Sequence, residues 1–331
     1  MRRSFLTFFA CLLLAAGVAY AAMLEVRPKS RTFEFDYEVL VKNIPPRTNE
    51  VTIWLPHLNQ RPYQQLEDVA FEPEGFARIT YDPLYHNKIL YYRISSPPES
   101  VKINVHYKVK RYEYSHKLSK STQPPSSQDS DLKKYLVPNK LVTISGRIQT
   151  LAAAITREKK TTLQKARAIY DYVFENVRHD KTIPGWGRGD TERVCLVKAG
   201  NCTDFHSLFI SLARAVGIPA KFVMGASIPQ KPEGQIQGYH CWAEFYDKDL
   251  GWVPVDISEA WKDKSKRQYY FGTISEDRLE FSEGRDIVLE PSTHGEPLNY
   301  FLYPYVEVDG ENFENLDVSF RFKDTTSKER G

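Results

Sequence analysis

Cysteine, methionine and net charge are all scarce in this chain of 331 residues. It contains 4 cysteines and 3 methionines, and its 45 Lys and Arg residues nearly balance its 42 Asp and Glu residues, for a formal charge of +3. So few cysteines exclude a small disulfide-stapled scaffold. The near-neutral charge creates no field that would attract nucleic acid, so no nucleic-acid partner is expected. With 41% hydrophobic and 26% charged residues, the composition favours a globular protein of about two domains over a polytopic membrane protein.

The N-terminus has the three parts of a secretory signal peptide. Arg2 and Arg3 supply the positive charge, residues 5–18 form an apolar run, and Ala19-Tyr20-Ala21 matches the small-x-small pattern before a cleavage site. The alternative is an uncleaved membrane anchor, but the run is shorter than the roughly 20 apolar residues that a spanning helix needs. We therefore expect residues 1–21 to be removed, the mature chain to have no membrane span, and the protein to be periplasmic or extracellular.

The periodicity of apolar residues divides the rest of the chain. From Thr32 onward, short runs alternate with period two, which predicts an antiparallel, sandwich-like β domain over residues 22–118. Residues 119–139 begin with a stretch rich in Ser and Pro and are interpreted as a linker. Residues 140–322, which combine helical stripes with strand patterns, are interpreted as a second domain, and residues 323–331 form a polar tail.

Cys202 lies at the beginning of the most regular helical pattern in the sequence. Apolar residues recur at helical spacing from Phe205 to Val216, and Asn201 is a favourable N-cap, so Cys202 takes the first helical position. The helix dipole and the unpaired N–H groups there favour a thiolate, which is the nucleophilic form of cysteine. The alternative is a buried structural cysteine, but Cys202 precedes the apolar stripe and does not belong to it.

A predicted hairpin brings a histidine and an aspartate together. Residues 239–246 and 250–256 have strand patterns on either side of a polar loop. With the hairpin centred on Lys248, His240 faces Asp256, and directly opposed Cβ atoms are roughly 4.5–5.5 Å apart. The carboxylate would fix the tautomer of the ring and leave the other nitrogen for the thiol. A register shift of one residue would break this pairing.

Three segments resemble the signature segments of the transglutaminase-like superfamily. Residues 200–205 (GNCTDF) with 212–220 (LARAVGIPA) resemble its cysteine segment, residues 239–245 (YHCWAEF) its histidine strand, and residues 251–256 (GWVPVD) its aspartate strand. They occur in the family's order, with 38 residues from Cys to His and 16 from His to Asp. The resemblance covers about residues 140–260, and two further segments, around residues 284–287 and 297–300, look similar to exported bacterial members.

The resemblance implies a papain-like α+β core preceded by the β-sandwich-like domain, and an enzyme that transfers acyl groups. Cys202 would be the nucleophile, His240 the general base and acid, and Asp256 the residue that orients His240. The substrate would be an amide bond of a peptide or protein, with cell-wall peptides as one candidate. Hydrolysis by a cysteine peptidase or amidase is favoured over protein cross-linking, and a non-catalytic binding or scaffold protein on the same fold is the alternative. No cofactor is implied, and the oligomeric state is not determined by the sequence.

Residues near these segments allow further hypotheses. Trp186 is a candidate oxyanion donor by analogy with some relatives, or else a packed loop aromatic. Cys195 and Cys241, which remain when Cys202 is assigned, are hypothesised to form a disulfide in an oxidising compartment, and strand alternation directs Cys241 away from the His240 face. His206 shares a helix face with Cys202 and is interpreted as an ordinary polar contact. An alternative base and, least favoured, a zinc site with the neighbouring thiols are the other readings of His206.

Overall fold

The computed structural model describes residues 28–116 and 129–325. The predicted signal peptide at residues 1–21 therefore lies outside the described residues. The same holds for residues 119–128 of the predicted linker and for the end of the predicted tail. Within the described segments, no helix combines the length and the apolar character that crossing a bilayer requires.

The described residues form short strands and a smaller number of helices. In chain order the strands are β1 (Ser30–Val41), β2 (Glu50–Pro56), β3 (Gln64–Glu72), β4 (Ala77–Tyr81), β5 (Lys88–Ser95), β6 (Val101–Tyr112), β7 (Tyr114–Ser115), β8 (Arg178–His179), β9 (Ala199–Gly200), β10 (Ala220–Ser227), β11 (Glu233–Gln235), β12 (His240–Asp247), β13 (Gly251–Val255), β14 (Thr273–Ile274), β15 (Arg278–Glu283), β16 (Tyr305–Val308), β17 (Glu311–Asn312) and β18 (Leu316–Asp324). The α-helices are α1 (Gly146–Thr156), α2 (Thr162–Asn176), α3 (Thr191–Val197), α4 (Cys202–Ala215) and α5 (Ile257–Lys262). Short 3-10 helices cover Glu74–Phe76, Asp129–Tyr135 and Lys264–Lys266.

Two five-stranded antiparallel sheets form the predicted sandwich. Sheet 1 has the order β11-β18-β1-β6-β3, and sheet 2 has the order β17-β16-β2-β5-β4. The period-two pattern of β1 buries alternate side chains from Phe33 to Val41, and these pack in one hydrophobic core with the inward residues of β2, β5 and β6. The other side of β1 is half-buried and polar, as expected for a sheet with one face on the core.

The C-terminal strands complete the sheets of this sandwich. β18 pairs with β1 from Leu316 to Asp324, and β16 pairs with β2. The sequence places these strands in the 140–322 domain and places Asp324 in the polar tail, so the structure differs from both expectations. The physical reason is that β1 and β2 each have a second edge whose backbone groups need hydrogen-bonding partners. The sequence pattern of a strand does not reveal which other strand it will pair with. The start of the second domain at residue 140 remains a prediction.

A separate four-stranded sheet, with the order β13-β12-β10-β15, carries the segments singled out in the sequence. Helix α4 packs against β12 and β10, and helices α1, α2, α3 and α5 pack around α4. We call the four-stranded sheet β13-β12-β10-β15 the core sheet. Its β15 edge faces the sandwich, where two amide side chains take the place of a neighbouring strand. Gln64 bonds to both backbone groups of Glu280, at 2.8 and 2.9 Å, and Asn87 bonds to both backbone groups of Glu283, each at 2.8 Å.

Candidate active site

Helix α4 begins at Cys202, as the sequence predicts. The Asn201 side chain accepts the Thr203 N–H at 3.0 Å, and the Asp204 carboxylate accepts the Asn201 N–H at 2.9 Å, which together make a capping box. Apolar side chains from Phe205 onward anchor the helix in the core. Cys202 therefore lies at the first turn, where the backbone N–H groups lack intrahelical partners and the dipole favours negative charge.

Asp204 also binds the loop that contains Gly187 and Gly189 to the beginning of α4. Its fully buried carboxylate accepts N–H groups from Gly187 at 2.7 Å and Gly189 at 3.2 Å, and Arg193 lies 3.8 Å away. Burial raises the pKa of Asp204 in spite of these contacts. Gly200 has to be glycine here, because a Cβ atom would lie 2.1 Å from an Asp204 oxygen. Asp204 is thus a structural residue, and the loop of Trp186 is held beside the beginning of α4.

His240 and Asp256 are in direct contact. The Nε2 atom of His240 lies 2.7 Å from Oδ2 of Asp256, and the two residues are 5% and 0% exposed. Asp256 is the N-cap of α5, and its Oδ1 atom accepts the Glu259 N–H and the Ser258 hydroxyl, each at 3.2 Å. Because Nε2 faces the carboxylate, Nδ1 is the ring nitrogen left for Cys202.

This contact does not arise from the predicted register. Asp247 pairs with Gly251 and Ala243 with Val255, so the hairpin is centred on Asp249 and not on Lys248. The predicted ladder pairing of His240 with Asp256 is therefore wrong. Gly251 adopts φ = +76°, a left-handed conformation suited to the end of a three-residue loop. Strand β13 ends at Val255, and Asp256 reaches His240 from the first turn of α5.

The charges of the site stabilise one another. The hydrogen bond from Cys241 lowers the pKa of the Cys202 thiol. Burial would raise this pKa, but the hydrogen bond from His240 adds to that of Cys241, and the pKa stays well below its usual value. Burial alone would lower the pKa of His240, but the charge and hydrogen bond of Asp256 outweigh it and raise that pKa to about 9. Burial would raise the pKa of Asp256, yet the charge and hydrogen bond of His240 lower it below its usual range. The arrangement favours a thiolate beside an imidazolium.

Cys241 lies on the side of the core sheet that packs against α4. Its sulfur is 3.7 Å from the Thr203 hydroxyl and 3.8 Å from Nδ1 of His206, and it hydrogen-bonds to Cys202. The hypothesised disulfide is not formed, because Cys195 and Cys241 are both free thiols. Cys195 lies on α3 instead.

His206 makes ordinary polar contacts, as the sequence analysis favoured. Its Nε2 atom accepts the Ile257 N–H at 2.9 Å, so the proton of a neutral ring is on Nδ1, which points at Cys241. The ring is fully buried, and burial lowers the pKa of His206 to about 4. A neutral imidazole whose acceptor nitrogen already binds a backbone N–H is not available as a second base.

Trp186 is 40% exposed, and the Lys181 ammonium lies 5.4 Å from the centre of its ring. An oxyanion role for Trp186 stays a prediction. The sequence gave no individual role to two other residues of the site. The Tyr239 hydroxyl accepts hydrogen bonds from Asn201 at 2.8 Å and Thr203 at 3.1 Å, which connects the residue just before β12 to the beginning of α4. Arg278 comes from β15 and lies 3.3 Å from Asp256, and only the pairing of β15 with β10 brings it there.

Comparison with known proteins supports the resemblance seen in the sequence. Residues 149–257 match the family model described as the transglutaminase-like superfamily, so this segment, which contains Cys202, His240 and Asp256, is a transglutaminase-like core. The chain is also similar to an uncharacterized protein of Haemophilus influenzae, with 29% identity over 81% of this chain and 83% of that protein. A second relative, the uncharacterized protein YebA of Bacillus subtilis, is 30% identical over 33% of this chain and 17% of its own length.

A solved structure shares the fold over nearly its whole length. It is a candidate cysteine protease from Cytophaga hutchinsonii, with a TM-score of 0.59 and 14% identity, over 90% of this chain and 99% of that chain. The α+β fold class, with a papain-like core and an antiparallel sandwich, is confirmed.

Proposed function

We propose that this protein is an exported thiol enzyme that acts on amide bonds of peptides or proteins through a thioester at Cys202. The observation that carries the proposal is the position of His240, which has Nε2 bonded to Asp256 and Nδ1 free for the thiol at the beginning of α4. A buried imidazolium between a carboxylate and a thiolate is the arrangement that cysteine-based acyl transfer requires. Export is proposed from the sequence of residues 1–21.

The reaction follows from the roles of these groups. The Cys202 sulfur attacks the amide carbonyl carbon, and the electron pair of the C=O bond moves to oxygen. When the tetrahedral intermediate collapses, the C–N bond breaks, and His240 gives its proton to the departing amine or ammonia. The N–H of Cys202, at the first helical position, is placed to donate to the oxyanion. His240 then takes a proton from the acceptor, which attacks the thioester and releases Cys202.

The acceptor distinguishes the two activities of this chemistry. Water gives a cysteine peptidase or amidase, and a primary amine gives a cross-linking transglutaminase. We propose water as the acceptor, in line with the description of the similar Cytophaga hutchinsonii protein as a candidate cysteine protease. Cell-wall peptides are the proposed substrate class for an exported enzyme of this kind.

One observation favours a different class of function. Cys202 is only 6% exposed and His240 only 5%, so the thiol has little open surface for a substrate. A non-catalytic binding or scaffold protein on the same fold would have no need of an open approach to Cys202.

Mass spectrometry of trapped adducts separates these possibilities. The mature protein would be mixed with peptidoglycan fragments and with a glutamine-containing peptide, quenched in acid, and digested. An acyl adduct on the Cys202 peptide is expected. Cys202→Ala should remove it and Cys195→Ser should retain it. Absence of an adduct, with intact labelling of the thiol by a small alkylating agent, would support the binding protein. Incorporation of ¹⁸O from water or of an added labelled amine into the product then identifies the acceptor.

A further inference from the structure

Arg278 occupies an unusual position at the edge of the core sheet. It is the first residue of β15, pairs with Ser227 of β10, and is only 4% exposed. One end of the guanidinium donates to the Ser227 hydroxyl at 2.8 Å. The other end lies 3.3 Å from Oδ2 of Asp256 and 3.2 Å from Oε2 of Glu259. The guanidinium group thus connects β10 to the beginning of α5, and it contacts the Asp256 carboxylate that also binds His240.

The Asp256 carboxylate is consequently shared. Its Oδ2 atom receives His240 at 2.7 Å and Arg278 at 3.3 Å, while Oδ1 receives the Ser258 hydroxyl and the Glu259 N–H. Both oxygens are therefore fixed, and the carboxylate has little freedom to rotate away from the imidazole. Whenever His240 gives up its proton, the buried carboxylate loses the charge of that partner. The planar, permanently charged guanidinium of Arg278 supplies a counter-charge that does not depend on pH.

We propose that Arg278 is a positioning residue that shares the Asp256 carboxylate with His240 and thereby limits how strongly His240 holds its proton. Without Arg278, all of the negative charge of Asp256 would act on the imidazole. A general acid that holds its proton too tightly releases it slowly to a leaving group. The inference rests on the proposed function, because it concerns the same His240 that donates and accepts protons there.

Several titratable or charged groups surround His240. Cys202 and His206 face it from α4, and Cys241 is its neighbour on β12. Asp256 is the N-cap of α5, Glu259 lies in the first turn of that helix, and Arg278 comes from β15. The charge of Asp256 raises the pKa of His240, and the charge of Arg278 lowers it. Glu259, which also bonds to Lys262 at 2.7 Å, draws part of the Arg278 charge away from Asp256.

The test is an NMR titration of His240 in protein with ¹³C-labelled histidine, with the resonance assigned from its loss in His240→Gln. In Arg278→Gln, which keeps a hydrogen-bond donor but removes the charge, the pKa of His240 should rise by an amount on the order of one unit. In Arg278→Lys it should stay near the wild-type value. Arg61→Gln is the matched control, because Arg61 pairs with Glu280 on the same strand but does not contact Asp256. An unchanged or lowered pKa in Arg278→Gln overturns the proposal, since loss of packing alone would loosen the Asp256 contact.

A second variant keeps the proposal testable should Arg278→Gln fail to fold. Glu259→Gln removes a partly exposed competitor for Arg278 and a negative charge that also acts on His240 directly, so the pKa of His240 should fall. A rise or no change there contradicts the inference. The wild-type titration tests the proposed function separately: a His240 pKa near 6.5 would contradict the ion pair itself. A raised wild-type value that neither variant moves would contradict only the role of Arg278.

Discussion

Nε2 of His240 lies 2.7 Å from Oδ2 of Asp256, and that oxygen also receives Arg278 at 3.3 Å. The same carboxylate caps helix α5 through its other oxygen. Asp256 therefore has two tasks, to begin a helix and to orient an imidazole, and the rigidity of the first serves the second. Because the ring is held by Nε2, the nitrogen that faces Cys202 is Nδ1.

Replacing Asp256 by Asn separates these two tasks. Asn is as good an N-cap as Asp, so the fold should persist, but the charge that supports the imidazolium is lost. We expect the rate of Cys202 acylation, measured by mass spectrometry, to fall by about 10²- to 10⁴-fold, the usual contribution of a working acid–base group. Asp263→Asn is the control, because Asp263 caps the nearby 3-10 helix in the same way. Equal rates in the two variants would contradict the role given to Asp256.

Cys241 should influence the acidity of Cys202. Its hydrogen bond is the largest influence that lowers the pKa of the Cys202 thiol. In Cys241→Ala the midpoint for alkylation of Cys202 should therefore move to higher pH, and in Cys241→Ser, which keeps a donor, it should move less. Cys195→Ser should leave the midpoint in place. The prediction is wrong if the Ala and Ser variants share the wild-type midpoint.

The ion pair makes a specific prediction for stability against pH. Between pH 6.5 and about 9 the folded pair holds one proton, on His240, and the unfolded chain also holds one, on the thiol of Cys202. The pair therefore adds little slope in this window. Cys202→Ala removes one influence that raises the pKa of His240, but the charge and hydrogen bond of Asp256, which are larger, remain. Above pH 6.5 the folded variant should therefore keep the proton on His240 while the unfolded state loses it, so the free energy of unfolding should fall as pH rises, by at most about 1.4 kcal/mol per unit.

Urea unfolding of this variant at pH 6.5, 7.5 and 8.5 measures that slope. Cys195→Ala, which leaves the pair intact, should follow the wild type over the same range. A flat profile for Cys202→Ala would mean that Asp256 does not hold a proton on His240 in the folded state of this variant.

Gln64 should be important for stability without touching the site. Its amide satisfies both backbone groups of Glu280 on the β15 edge, and it is fully buried. Gln64→Leu leaves those two buried groups without partners, which should cost roughly 1–3 kcal/mol for each. Gln65→Leu, at the exposed neighbouring position of β3, should change the free energy of unfolding by no more than about 0.5 kcal/mol. Chemical denaturation of both variants measures these changes. Equal stabilities would show that the hydrogen bonds of Gln64 to the β15 edge do not stabilise the fold.

The parts of the site that are local in sequence could be predicted. The beginning of α4 depends on Asn201, Asp204 and the apolar stripe that follows, all within one helix, and the structure has it at the predicted residue. The β1 strand and its buried face follow from strict alternation over its length. In both cases the determining interactions lie within a few residues of one another.

The remaining features depend on contacts between distant segments. The centre of the hairpin is one residue from the predicted position because Gly251 takes a left-handed conformation that composition alone does not specify. The partnership of β18 with β1 joins residues almost 300 positions apart. Arg278 lies 22 positions after Asp256, and only the order of the core sheet brings the two together.

The most direct test of the central claim is the pH dependence of iodoacetamide labelling, resolved by mass spectrometry for each cysteine. Burial raises the pKa of Cys195, so that thiol is an internal reference within the same molecule. We predict that Cys202 is labelled rapidly well below pH 8 and that Cys195 is labelled only at higher pH. His240→Gln should move the Cys202 profile toward that of Cys195. Coincident profiles for the two cysteines in the folded wild-type protein would contradict an activated nucleophile at the beginning of α4.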